Sequence, residues 1–181
     1  MAKIITLTGD LGSGKSTVSS ILIEKLGYRY IYTGDILRRI AERYGMSVWE
    51  LNNYAETHPE IDEEVDNTFK GLADAENLIV DSRLAWHFLP NSFKVFLQVE
   101  PNVAAQRVFE DNGRSNEKYS SKEETLQQLN NRKKSELKRY GELYGVDCAD
   151  MKNYDLIVDT SDISPKDVAQ KILDGYRIAS R

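Results

Sequence analysis

The sequence predicts an α/β fold built on a five-stranded parallel sheet, and three observations lead to it. Short apolar, β-branched or aromatic runs alternate along the chain with longer segments of helical periodicity. Several of these runs, KIITLT and NLIV among them, lack the strict apolar and polar alternation of a half-exposed strand, as expected of strands covered on both faces. The turn after the first run, GDLGSGKST over Gly9 to Thr17, has the full spacing G-x-x-x-x-G-K-S/T, a pattern with meaning only between a buried strand and a helix.

Each element can be justified in order. Lys3 to Thr8 is the first strand; after the glycine-rich turn Val18, Ile21, Leu22 and Leu26 recur at helical spacing, and Gly27 supplies the stop. Arg29 to Tyr32 forms a short aromatic strand, Thr33-Gly34 a turn, and a helix starts at Asp35 with Ile36, Ile40 and Tyr44 on its apolar face. Ser47 with Glu50 reads as a capping box opening the short helix MSVWELNNYAE. Pro59 opens the next helix, through HPEIDEEVDNTFKGLADA, with acids in the first turns where the helix dipole favours them. Asn77 to Val80 is a buried strand that ends on Asp81, and Phe93 to Val99 is another, followed by a helix opened by Pro101 and carrying Val103, Ala104 and Val108. Glu110 to Ser121 is polar with a central glycine and leads into one long helix, SKEETLQQLNNRKKSELKRYGELYG. Tyr154 to Val158 is the last strand, and Ser164-Pro165 opens the closing helix. Strands alternating with helices in this way imply a parallel sheet with right-handed crossovers.

Composition narrows the function classes. The 181 residues suit one domain over 1–181, with 40% hydrophobic and 29% charged residues, an ordinary globular balance. A net charge of −5 leaves no general electrostatic footprint for nucleic acid. No apolar stretch approaches the ~20 residues of a membrane span and no leader is evident, so the expectation is a cytoplasmic protein, with a monomer as the default. Cys148 has no histidine near it in sequence, and His58 and His87 stand too far apart for a metal site, so packing accounts for all three.

The chemistry is concentrated in the first turn. Gly9, Asp10, Leu11, Gly12, Ser13, Gly14, Lys15, Ser16 and Thr17 would wrap phosphates with backbone N–H groups at a helix N-terminus. Lys15 would place a compact positive charge on the β- and γ-phosphates, Ser16 would offer its hydroxyl to Mg²⁺, and Thr17 would bond the α-phosphate. Gly12 and Gly14 would let the backbone come close. Asp81, at the carboxyl end of a strand where parallel sheets bind ligands, is the candidate for a carboxylate on the magnesium side, acting through water. In the long helix Arg132 and Arg139 lie seven apart, two turns along one face, so both can aim at one anionic target. Glu110 to Ser121 and the helix after it are then either a solvated surface segment or a mobile lid over the phosphates.

Taken together, GDLGSGKST, YTGDILRR, NNYAETHPEID, IVDSRLAW and NRKKSELKRYGELYGVD resemble the cytidylate kinases, especially their short archaeal-type branch, along nearly the whole chain. The resemblance implies a three-layer P-loop kinase fold with monophosphate-binding helices at about 35–75 and a helical lid at about 110–140. It implies phosphoryl transfer from ATP, with Mg²⁺, to CMP or dCMP. Thr33 and Gly34 match the turn that touches the acceptor nucleotide, Arg38 and Arg83 the arginines that hold its phosphate, and Arg132 and Arg139 the lid pair that meets the phosphates during transfer. Arg107 is a lesser match. Bacterial members carry an acid directly after the arginine of the DSR segment, where this chain has Leu84. Asn52, Asn53, Asp62 and Asp66 either replace that base contact or are solvated helix polar groups.

Rival readings make different demands. A GTPase switch would need a guanine-reading N-K-x-D segment, and the sequence has none. A non-catalytic ATP-binding module would not need Arg83, Arg132 and Arg139. A kinase for another acceptor, such as a different nucleoside monophosphate, dephospho-coenzyme A or shikimate, shares the loop and stays open. With Lys15, Arg38, Arg83, Arg132 and Arg139 available as charge clamps, transfer between phosphates needs no separate general base, because the acceptor is already ionised.

Overall fold

The computed structural model describes residues 3–55, 57–111 and 119–180. Its centre is a five-stranded sheet of order β2-β3-β1-β4-β5, parallel at every pairing: β1 (Ile4–Gly9), β2 (Arg29–Tyr32), β3 (Leu78–Asp81), β4 (Phe93–Gln98) and β5 (Leu156–Asp159). Between them run α1 (Lys15–Leu26), α2 (Thr33–Tyr44), α3 (Val48–Ala55), α4 (Pro59–Lys70), α5 (Ala85–Phe88), α6 (Pro101–Glu110), α7 (Lys122–Tyr144) and α8 (Pro165–Ala179).

Successive strand residues face opposite ways, so the continuous apolar runs feed two cores. Ile5, Leu7, Ile79, Val95 and Leu97 pack with α1 and α8, while Ile4, Leu78 and Val80 pack with α2, α3, α4 and α5. That is the three-layer arrangement the family resemblance implies. At the carboxyl edge of the sheet, α6 and α7 meet through Val99, Ala104, Val108 and Leu129.

Local details differ from the sequence reading at four places, each for a physical reason. No separate turn follows β2: α2 begins at Thr33, whose hydroxyl donates to the Asp81 carbonyl (3.2 Å), and the Tyr32 ring lies over Gly34, where a Cβ would make it move aside. The helix opened by Pro59 stops at Lys70, where the Gly71 N–H returns to Asn67 (3.0 Å), rather than running on to Ala75. Asn77 adopts a left-handed φ of 55°, so β3 starts one residue later, at Leu78, and it runs through Asp81, which pairs with Leu7 and Tyr32. A short helix, α5, follows the DSR segment where none was expected. No described helix is long and apolar enough to cross a membrane.

Candidate active site

The glycine-rich turn sits where the motif requires, between β1 and α1. Gly14 holds the N-cap of α1 in a left-handed conformation (φ 81°) with no side-chain cap, so the first-turn N–H groups keep their donor capacity for an outside acceptor. A Cβ on Gly14 would meet nothing within 4 Å among the described residues, so this face of the turn is open. The other two glycines answer a different need. A Cβ on Gly9 would strike Leu97 of β4, and one on Gly12 (φ 79°) would lie 2.8 Å from the Ala104 carbonyl of α6. The close approach expected of Gly12 is therefore to a helix backbone. Ser13 closes the turn by donating to the Asp10 carbonyl (2.7 Å), and Asp10 accepts from the Val99 N–H (3.3 Å).

Lys15 folds over this turn, its Nζ donating to the Gly9 and Asp10 carbonyls at 3.0 and 3.1 Å. Burial, and then the positive charge of Arg83, push its pKa down to about 8. Ser16 and Thr17 stand exposed on the first turn of α1. Asp81 lies buried at the end of β3, accepting from the Tyr30 hydroxyl (3.2 Å). Burial raises its pKa, against the pull of Lys15 and the Tyr30 hydroxyl. Among the described residues no group of three or more His, Cys, Asp or Glu could cage a metal ion. The hydroxyl and carboxylate oxygens of Ser16 and Asp81 beside an open anion cradle do suit Mg²⁺, which binds through one or two protein oxygens, water and substrate phosphate.

The arginines divide. Arg83, from the turn after β3, donates to the Gly9 carbonyl and pairs through Nε with Glu136 of α7 at 3.0 Å. The other oxygen of Glu136 takes Arg132, also at 3.0 Å. Arg139, one of the two arginines expected to share a target, instead grips Asp62 of α4 with both carboxylate oxygens at 2.5 and 2.7 Å. One turn further along α4, Asp66 accepts from the Tyr144 hydroxyl of α7 (3.1 Å). The two acids considered for base contacts thus tie α4 to the long helix. Arg38 is exposed and paired with Asp35. Arg107 binds the Thr160 and Ser161 carbonyls at 2.7 and 3.1 Å and reaches the Gly12 carbonyl at 3.4 Å, joining α6, the loop and the end of β5. The side chains of Asn52 and Asn53 and residues 112–118 of the polar stretch lie outside the described residues.

Several residues escaped the sequence reading. Lys133 of α7 reaches Asp10 of the loop at 2.7 Å, and Glu136 and Tyr30 hold Arg83 and Asp81 as described. The i, i+4 spacing of Arg132 and Glu136 was a visible signal for one pair; nothing local marks the others. Leu84 is buried with Trp86, Phe96, Cys148 and Tyr154, so its position serves packing. Cys148 in the same cluster has its thiol pushed up to about 11 by burial, unlike a nucleophile. His58 stacks on Tyr54 (ring centroids 3.5 Å apart), and His87 lies edge-on to Trp86 and Phe88.

The cytidylate kinase-like family matches residues 4–162. The chain is 39% identical over 166 residues to the cytidylate kinase of Pyrococcus abyssi, covering 91% of this chain and 88% of that one. It is 38% identical over 175 residues to an S-adenosylmethionine-dependent nucleotide dehydratase of Lacinutrix mariniflava, covering 96% of this chain but only 36% of that protein. Among solved structures, the shikimate kinase of Bacteroides thetaiotaomicron superposes with a TM-score of 0.67 at 18% identity over 96% of this chain and 98% of its own, a likeness of fold.

Proposed function

Because the chain belongs to the cytidylate kinase-like family, we propose that it transfers the γ-phosphoryl group of ATP to CMP or dCMP, giving CDP or dCDP. The coarser part of this reading, an ATP-dependent nucleoside monophosphate kinase, rests on the family and on its curated cytidylate kinase relatives. The observation that supports transfer to a second phosphate is the cluster beside the loop, in which Arg83 donates to the Gly9 carbonyl and Glu136 pairs with both Arg83 and Arg132; the cytidine acceptor rests on the curated relatives. Cations beyond those needed to hold one triphosphate stand beside the loop, where a second phosphate would arrive.

On this reading the loop N–H groups and Lys15 hold the β- and γ-phosphates, and Lys15 turns from its carbonyl partners onto phosphate oxygen. Ser16, with Asp81 through water, would hold Mg²⁺, which neutralises phosphate charge when bound. An ionised oxygen of the acceptor phosphate forms a bond to the γ-phosphorus, and the bond from that phosphorus to the oxygen bridging to the β-phosphate breaks. Arg83, Arg132 and Arg139 spread the charge of the transferring group, and the acceptor needs no general base. Residues 1–181 act as one domain, with α2, α3 and α4 as the acceptor side and α7 as a lid that excludes water. Thr33 and Gly34 would line the acceptor site at the start of α2, with Arg38 swinging in from the surface.

A coupled assay of ADP release across CMP, dCMP, UMP, AMP, GMP, dephospho-coenzyme A and shikimate tests the assignment. CMP or dCMP is expected to give the highest kcat/KM. A clearly higher value for UMP, AMP or a non-nucleotide acceptor would overturn the cytidine assignment and leave the phosphotransferase class.

A further inference from the structure

The mechanism uses Arg83 and Arg132 but gives no task to the acid between them. Glu136 offers one carboxylate oxygen to each guanidinium, both at 3.0 Å, while Arg83 also donates to the Gly9 carbonyl of the phosphate loop. The three-charge cluster therefore stands at the cradle, and the negative charge of Glu136 is felt at Lys15. Helix stability does not explain the arrangement. An arginine one turn before a glutamate is the less favourable order for an i, i+4 pair. The same pattern recurs along α7, where Arg139 is held by Asp62 and Lys133 by Asp10.

We propose that Glu136 is a built-in competitor for phosphate, a carboxylate that keeps Arg83 and Arg132 together and yields them to incoming phosphoryl oxygens. The proposal rests on the kinase reading of the site and adds to it a positioning residue with a selective effect. Two guanidinium groups aimed at one anion repel each other, and a carboxylate between them offsets that repulsion. Glu136 holds the Nε donor of each arginine, so an anion that takes the full donor set of both groups displaces it. A monoanion gains nothing by the exchange, since one negative charge replaces another. A multiply charged phosphate gains at least one further unit of attraction on the same two cations, with two or three oxygens to share between them. Glu136 thereby screens the cluster against stray monoanions and reserves it for polyphosphates.

The test is calorimetric titration of the full chain with inorganic tripolyphosphate, beside steady-state kinetics. Glu136→Gln removes the competing charge and keeps the shape, so it is expected to bind tripolyphosphate about tenfold more tightly. Its affinity for a monoanion such as nitrate should rise as well. Its kcat should fall while the KM for ATP falls or holds, because the two guanidinium groups lose the brace that sets their spacing. Glu136→Asp keeps the charge but shortens its reach, and its Kd is expected to lie between those of the wild type and Glu136→Gln. Unchanged or weaker tripolyphosphate binding by a folded Glu136→Gln would overturn the proposal and leave Glu136 as a brace alone. If that variant fails to fold, a Kd for Glu136→Asp no tighter than wild type overturns it independently. Tripolyphosphate binding involves no acceptor, so a wrong cytidine assignment leaves this result untouched, and failure here leaves the acceptor assay untouched.

Discussion

The glycine-rich loop and the arginine cluster beside it, both assigned to phosphate on the proposed reading, are built in opposite ways. The loop is nine consecutive residues that present backbone N–H groups, and its shape is set by steric contact: Gly9 against Leu97, Gly12 against Ala104, Ser13 closing onto Asp10. The cluster takes side chains from the turn after β3, from α4 and from α7, and is set by ion pairs: Arg83 and Arg132 with Glu136, Arg139 with Asp62. On that reading backbone donors fixed by packing need no reorganisation when a phosphate arrives, whereas each paired arginine gives up a carboxylate to turn its full donor set on the phosphate. On the proposed kinase reading the difference separates a preformed half of the site from a switchable one, with most of the switchable half on α7.

The largest effect is expected at Lys15. Lys15→Ala is expected to lower kcat by about 10³-fold or more, with the fold retained, because it removes a charge that stabilises the transferring phosphoryl group. Near-normal ADP release from a folded variant would remove the loop from the reaction. The rigidity of the loop is probed by Gly12→Ala, whose Cβ would press on the Ala104 carbonyl from a left-handed backbone. A stability loss of about 3 kcal/mol is expected in urea unfolding, from strain and overpacking together.

On the switchable side, Arg139→Ala should reduce kcat by about 30-fold, with a much smaller change in the KM for ATP, if this arginine leaves Asp62 for the phosphates only near the transition state. An unchanged kcat would make the Asp62–Arg139 pair a strut between α4 and α7. The smallest effect expected is on pH. Burial holds the Lys15 pKa at about 8, and bound phosphate favours the charged form, so ATP binding takes up a proton above that pH. Affinity should therefore fall as pH rises, to about tenfold weaker at pH 9 than at pH 7, and the dependence should vanish in Lys15→Ala when followed by calorimetry.

What could be read from the sequence follows the same division. The loop, the strand before it and the start of α1 after it are local features, and the motif with its flanking periodicity is sufficient to locate them. The helix stop at Gly71 was equally local, and the longer helix expected there passed over a glycine that the structure uses as a cap. The shift of β3 by one residue was less accessible, since it depends on Asn77 taking a left-handed φ. Asp81, expected at the carboxyl end of that strand, is its last residue and lies buried, accepting from the Tyr30 hydroxyl.

The sequence by itself determined the parallel α/β architecture, the phosphate loop and the presence of enough cations for a second phosphate, because strand and helix periodicity and the spacing of one motif act over a few residues. Only the tertiary structure decided how the charges are shared. Asp62 meets Arg139 across 77 positions and Asp10 meets Lys133 across 123, and no local pattern records such pairings. It likewise decided that Leu84 belongs to the core and that Gly12 is small for the sake of α6. The physical reason is common to all of these. Which face of an element is covered, and by which side chain, is fixed when the layers pack, and a one-dimensional pattern specifies that a face exists without naming what will lie against it.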